Sequence, residues 1–159
     1  MDKTIDLKRL LDATPRPHYL TEITTYNKQG HDCELCNYEL NGTVIFSSEG
    51  HPSVSDRADK YLSEPHVNVG DCCFALWNAT HVIAEMNGFG KRILRKKVEI
   101  VPFKIVPPDV SINLEVRLNE QKVIKVKNRE MVLGIIQGTF YSGSSKLVKI
   151  TANYVAERN

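Results

Sequence analysis

"VGDCCFALWNATHVIAEMNGFG", residues 69 to 90, is the stretch from which the rest of the chain is read. From Asp71 to Gly88 it holds Phe74, Ala75, Leu76, Trp77, Ala79, Val82, Ile83, Ala84 and Met86. That run is too long for a typical strand and is closed by the helix terminator "NGFG", so it predicts a helix. Apolar residues occupy most of the circumference, which predicts burial on nearly all sides. Asn78, His81 and Glu85 fall at i, i+3 and i+7, with Asp71 one heptad earlier, and leave one narrow polar stripe. Such a stripe must face water, a partner or a site.

Outward from the helix, everything after Lys96 reads as strands: 97–106, 111–118, 122–127, 131–141 and 146–156. Their joins, "PPD", "LNEQ", "NRE" and "SGSS", are short and turn-like, so consecutive strands must pair antiparallel. One buried helix followed by long antiparallel strands predicts an α+β architecture in which a mainly antiparallel sheet wraps a central helix. Upstream, Ile5 to Leu11 reads as a short amphipathic helix stopped by Pro15 and Pro17, within a helical extension over about residues 1–16. A polar loop follows. Tyr38 to Ser47 then reads as a hairpin turning at Asn41-Gly42, and Glu49 to Asp59 as a loop or short exposed helix.

With 159 residues, 42% hydrophobic and 25% charged, the chain can bury one sizeable core, and a single domain over 1–159 is expected. No stretch reaches the roughly 18 apolar residues of a membrane span, and "MDKTIDLKRLLDATPRP" lacks the apolar run of a signal peptide; a cytoplasmic protein is expected. A net charge of +2, without Lys or Arg runs interleaved with aromatics, argues against nucleic acid as a partner. Cys33 and Cys36 could supply half a zinc site, with His31 nearby, but adjacent Cys72 and Cys73 on a helix cannot easily face one metal. Reduced thiols packed as small hydrophobes are the favoured reading, and no metal or other cofactor is expected.

Three motifs occur in order: "DCELCNY" at 32–38, "YLSEPHVN" at 61–68 and "LWNA" at 76–79. The order of elements resembles the hotdog fold, whose members mostly act on acyl thioesters of coenzyme A or acyl carrier protein. The motifs resemble those of FcoT-like fatty acyl thioesterases, a group with relatives in isonitrile lipopeptide and β-amino acid polyketide pathways. Such relatives add glycine or another amino acid to a 2-enoyl thioester. The resemblance maps the family's Tyr to Tyr61, its His to His66, and its Asn residues to Asn68 and Asn78. The loop between Tyr61 and His66 is one residue shorter than the family pattern, and His31 stands where one branch has a tyrosine. The resemblance also implies a homodimer or dimer of dimers with joined sheets.

Attack on a thioester, at the carbonyl or at the β-carbon of an enoyl chain, pushes negative charge onto the same oxygen. Free N–H groups at the helix start, from Gly70 and Asp71 to Cys73, are expected to form an oxyanion hole. His66 is the expected general base, because imidazole titrates near neutral pH. Tyr61 would hydrogen-bond the nucleophile or the thioester oxygen. Asn68, Asn78 and the polar stripe with His81 and Glu85 would orient substrate. No nucleophile with an adjacent base is evident, so direct attack by a bound nucleophile is favoured over an acyl-enzyme, with Cys72 and Cys73 the minor alternative. Lys91, Arg92, Arg95 and Lys96 are positioned in sequence to meet a coenzyme A phosphate or the acidic face of a carrier protein. Two rivals stand beside a thioesterase: a 3-hydroxyacyl dehydratase using Glu85 with His66 or His81, and a non-catalytic acyl or carrier-protein binding module.

Overall fold

The computed structural model describes residues 6–12, 14, 16–29, 37–48, 67–88 and 92–158. Its elements are α1 (Leu7–Asp12), β1 (Leu20–Gln29), β2 (Asn37–Val44), α2 (Val69–Met86), β3 (Arg92–Pro102), β4 (Ile112–Val126), β5 (Arg129–Ser142) and β6 (Ser145–Glu157). The strands form one six-stranded sheet in the order β1-β2-β4-β5-β6-β3, with every neighbouring pair antiparallel. The central helix α2 packs on it, as its sequence predicts.

Local chemistry sets both ends of α2. Asn68 is the N-cap, in extended conformation, and its side chain accepts from the Gly70 N–H. Asp71 sits in the first turn, where the helix dipole favours a carboxylate. At the other end Asn87 donates from Nδ2 to the Ile83 carbonyl at 2.7 Å, and Gly88 turns the chain away with φ +75°. Cys72, Ala75, Leu76, Ala79, Val82 and Ile83 are buried and join the core with Leu40, Leu114, Ile136, Phe140 and Ile150 of the sheet. The core closes tightly because Gly138 of β5 has no side chain: a Cβ there would lie 2.6 Å from Leu76 Cδ1.

Helix α2 is covered round most of its circumference, as its sequence predicts: among its residues only Phe74, at 43%, and Glu85 are exposed, and they share one face. Three other sequence expectations are corrected. The polar segment after α1 contains β1, not merely a loop. Its apolar residues Leu20, Ile23 and Tyr26 recur every third position because register shifts interrupt the pairing with β2, which erases the two-residue signature of a strand. Asn41-Gly42 is no turn. Both lie inside β2, where half-buried and buried residues alternate from Tyr38 onward, and a Cβ at residue 42 would lie 2.6 Å from the Glu22 carbonyl oxygen. Glycine here permits close approach of β1. Residues 112–126 likewise form one strand with an irregularity between Asn119 and Lys122, where two strands were expected.

Candidate functional site

The start of α2 is a closed cap. Gly70 N–H donates to Asn68 Oδ1 at 2.9 Å, and Asp71 N–H donates to the Asn68 carbonyl at 3.0 Å. The expected oxyanion hole of free N–H groups from Gly70 and Asp71 is therefore corrected: Asn68 takes both. Only the oxygen of its amide can accept from Gly70, so its Nδ2 points away from the cap as an available donor.

Asp71 and Asn78, one heptad apart, clasp the chain that enters β1. The Tyr19 N–H donates to Asn78 Oδ1 at 2.9 Å, Asn78 Nδ2 donates to the Pro17 carbonyl at 3.1 Å, and the Tyr19 hydroxyl donates to Asp71 Oδ1 at 3.0 Å. The Tyr19 ring packs on Phe46, with centroids 4.8 Å apart. Asn78 is buried with both ends of its amide bonded to backbone, so it orients the protein's own N-terminal segment. The polar stripe is thus divided in its use: Asp71 and Asn78 hold structure, His81 is half-buried, and Glu85 faces out.

Burial pushes the Cys72 thiol up to about 12, with the neighbouring Cys73 and Asp71 adding to the effect, and burial raises Cys73 as well. Both stay protonated near neutral pH, which removes the activation a thiolate nucleophile needs. His81 is lowered to about 4, first by burial and then by the Arg95 charge, so its imidazole is neutral. Arg95 lies on the inner side of β3, its guanidinium carbon 4.5 Å from the centroid of the Trp77 ring. Burial lowers it to about 10, still charged at pH 7. Lys96 points to the opposite, exposed side, so these two cations do not form one patch. Arg92 opens β3. Tyr61, His66, His31, Cys33, Cys36 and Lys91 lie outside the described residues. Among the described residues, no group of three His, Cys, Asp or Glu side chains could hold a metal ion.

Beside the helix start runs an apolar groove of about 330 Å³, lined by Val67, Val69, Phe103, Ile105, Val106 and Val148 among others. Nothing in the composition marked Phe103 and Ile105 as site residues; their exposure next to a helix N-terminus is a tertiary result. Trp77 was also missed, although it lies one helical turn before His81. A larger concavity, about 470 Å³, lies on the outer face of the sheet over Thr24, Asn41, Glu115 and Tyr141. These residues alternate with core positions such as Leu40, Leu114 and Phe140, so that concavity faces away from α2.

The sequence matches no protein-family model, and no curated protein matches it. Solved structures do match by shape. One is a protein from Lactococcus lactis, 12% identical with TM-score 0.55, covering 98% of this chain and 100% of its own. One from Bartonella henselae is 13% identical with TM-score 0.53, over 73% of this chain and 87% of that one. One from Shewanella oneidensis is 7% identical with TM-score 0.52, over 82% of each. All three are provisionally assigned as thioesterases. The fold is the hotdog fold. In this hotdog chain the capped helix start opens on the apolar groove, whereas the Arg95–Trp77 stack lies about two turns further along α2. No helix among the described residues is long and apolar enough to cross a membrane.

Proposed function

We propose that the protein is an acyl-thioester hydrolase that holds its acyl chain in the groove at the start of α2. The groove carries this reading: its apolar walls suit an alkyl chain, and it adjoins the helix end reached directly after "YLSEPHVN". His66 acts as general base on water or an attacking amine, and Tyr61 hydrogen-bonds the nucleophile. Asn68, fixed by the cap, offers Nδ2 to the oxygen that gains charge. With both described thiols protonated, direct attack is favoured over an acyl-enzyme. The FcoT-like motifs support the finer reading, in which glycine or a similar amine adds to a 2-enoyl thioester and hydrolysis releases a β-amino acid in a secondary-metabolite pathway. The thioester is carried by coenzyme A or by an acyl carrier protein, with Lys91, Arg92 and Lys96 meeting its phosphate or acidic face. Two copies join through β3, the strand that ends the sheet order.

The dehydratase alternative fares worse for Glu85 with His66. Glu85 lies about 24 Å from the helix start at ~1.5 Å rise per residue, too far to share a substrate atom with a residue preceding Val69. The deciding experiment incubates the protein with a medium-chain 2-enoyl thioester, with and without glycine, and follows free thiol and product mass for wild type and His66→Ala. A glycine-dependent adduct lost in the variant is expected. Thiol release indifferent to glycine leaves a plain thioesterase, and saturable binding without turnover makes the protein an acyl-binding module.

A further inference from the structure

Arg95 is a charged, inward-facing side chain that the reaction above leaves unused. Its Nε and Nη2 are buried and make no hydrogen bond with the described residues. These two nitrogens share one edge of the planar guanidinium and direct their N–H bonds in parallel, the fork that receives both oxygens of a carboxylate side-on. Contact with the Trp77 ring orients the guanidinium plane and so aims that edge. The ion pairs among the described residues are made by Arg117, Arg129 and Arg158, none by Arg95. Glu85, one turn beyond His81, is exposed. A buried cation to which the described residues supply neither counter-charge nor acceptor is stabilised by an anion that supplies both.

We propose that the Nε–Nη2 edge of Arg95, backed by Trp77 and next to His81, is a binding site for a small carboxylate. One cation beside a neutral imidazole matches a monoanion better than a phosphate dianion. Trp77 stands about 12 Å along α2 from Val69 at ~1.5 Å rise per residue, so this site is separate from the helix start. Its source rests on the thioester reading: the carboxylate is that of the released acid or of the amino acid, held here away from the reacting atoms.

Trp77 is the sole tryptophan in the chain, so its emission reports on the stack directly. The purified protein would be titrated at constant ionic strength with butanoate, glycine, butanamide and inorganic phosphate. A saturable change with butanoate or glycine, absent with uncharged butanamide, is expected; which of the two binds more tightly names the source. Arg95→Gln should weaken it at least tenfold, and Arg95→Lys, which keeps the charge but not the fork, by less. No saturable response of the wild type to either carboxylate overturns the site, as does an undiminished response in Arg95→Gln or tighter binding of phosphate than of both carboxylates. The wild-type titration stands even if the variants misfold. Because turnover is not read, failure of the hydrolase reading and failure of this one are distinguishable.

Discussion

Asn68 has two polar ends, and the helix cap claims the oxygen. Asn68→Asp therefore separates its two roles. A carboxylate caps as well as an amide and suits the helix dipole, so thermal unfolding should be unchanged. The variant loses the Nδ2 donor and sets a negative charge beside a developing oxyanion, so thiol release should fall roughly 10²-fold in kcat; unchanged turnover would remove Asn68 from the chemistry. His81 carries a pH prediction. Its folded value, about 4, lies below the ordinary 6.5, so the unfolded chain takes up a proton that the folded one rejects. The stability it contributes is complete above about pH 6.5 and is lost as pH falls toward 4. Since the ring is only half-buried, solvent screening leaves about 1–2 kcal/mol of this. Urea denaturation between pH 7 and pH 4.5 should show a steeper decline for wild type than for His81→Gln; parallel declines would sink the assignment. The polarity of Asn78 was legible in the sequence. Its partners at residues 17 and 19 were not, because they are some sixty positions away and meet it only once β1 is laid across α2.

At the scale of elements, helix and sheet meet at Gly138 and Leu76. Gly138→Ala would place a methyl group 2.6 Å from Leu76 Cδ1, and Leu76 is fully buried. Such overpacking costs about 1–3 kcal/mol. In a cycle with Leu76→Ala the two losses should be strongly non-additive, since shortening residue 76 vacates the space the new methyl needs. Additive losses in chemical denaturation would mean the contact does not limit the approach of helix to sheet. The element pattern was readable where periodicity was intact. The helix 69–86 and strands β5 and β6 follow from long runs with ordinary turn chemistry between them, such as positive φ at Lys127, Asn128 and Gly143. Strand β1 was unreadable because register shifts carry Leu20, Ile23 and Tyr26 onto one side at a spacing that alternation does not produce. Gly42 misled for a related reason: glycine beside asparagine signals a turn, and only the neighbouring strand shows that the missing side chain makes room for Glu22 and Leu20.

For the whole molecule, β3 ends the sheet, and it carries Leu94, Val98 and Val101 at 62%, 42% and 47% exposure, with Phe74 of α2 at 43%. An exposed edge of this composition favours pairing with a second strand. Sedimentation equilibrium should give a dimer for wild type and a shift toward monomer for the Leu94→Lys, Val101→Lys double variant; a monomeric wild type at micromolar concentration would sink β3 pairing. The amino-acid sequence by itself determined the elements whose signal is local: a capped, terminated, apolar helix and antiparallel strands joined by short turns. Local spacing suffices there, because periodicity, caps and turns are satisfied within a few residues. Only the tertiary structure decided that Asn68 closes the helix start, that Asp71 and Asn78 hold the chain entering β1, that Phe103 and Ile105 line a groove, and that Arg95 turns inward onto Trp77 while Lys96 turns out. Each depends on which groups from distant segments compete for the same polar atom or the same space, and that competition exists only once the sheet has closed on the helix.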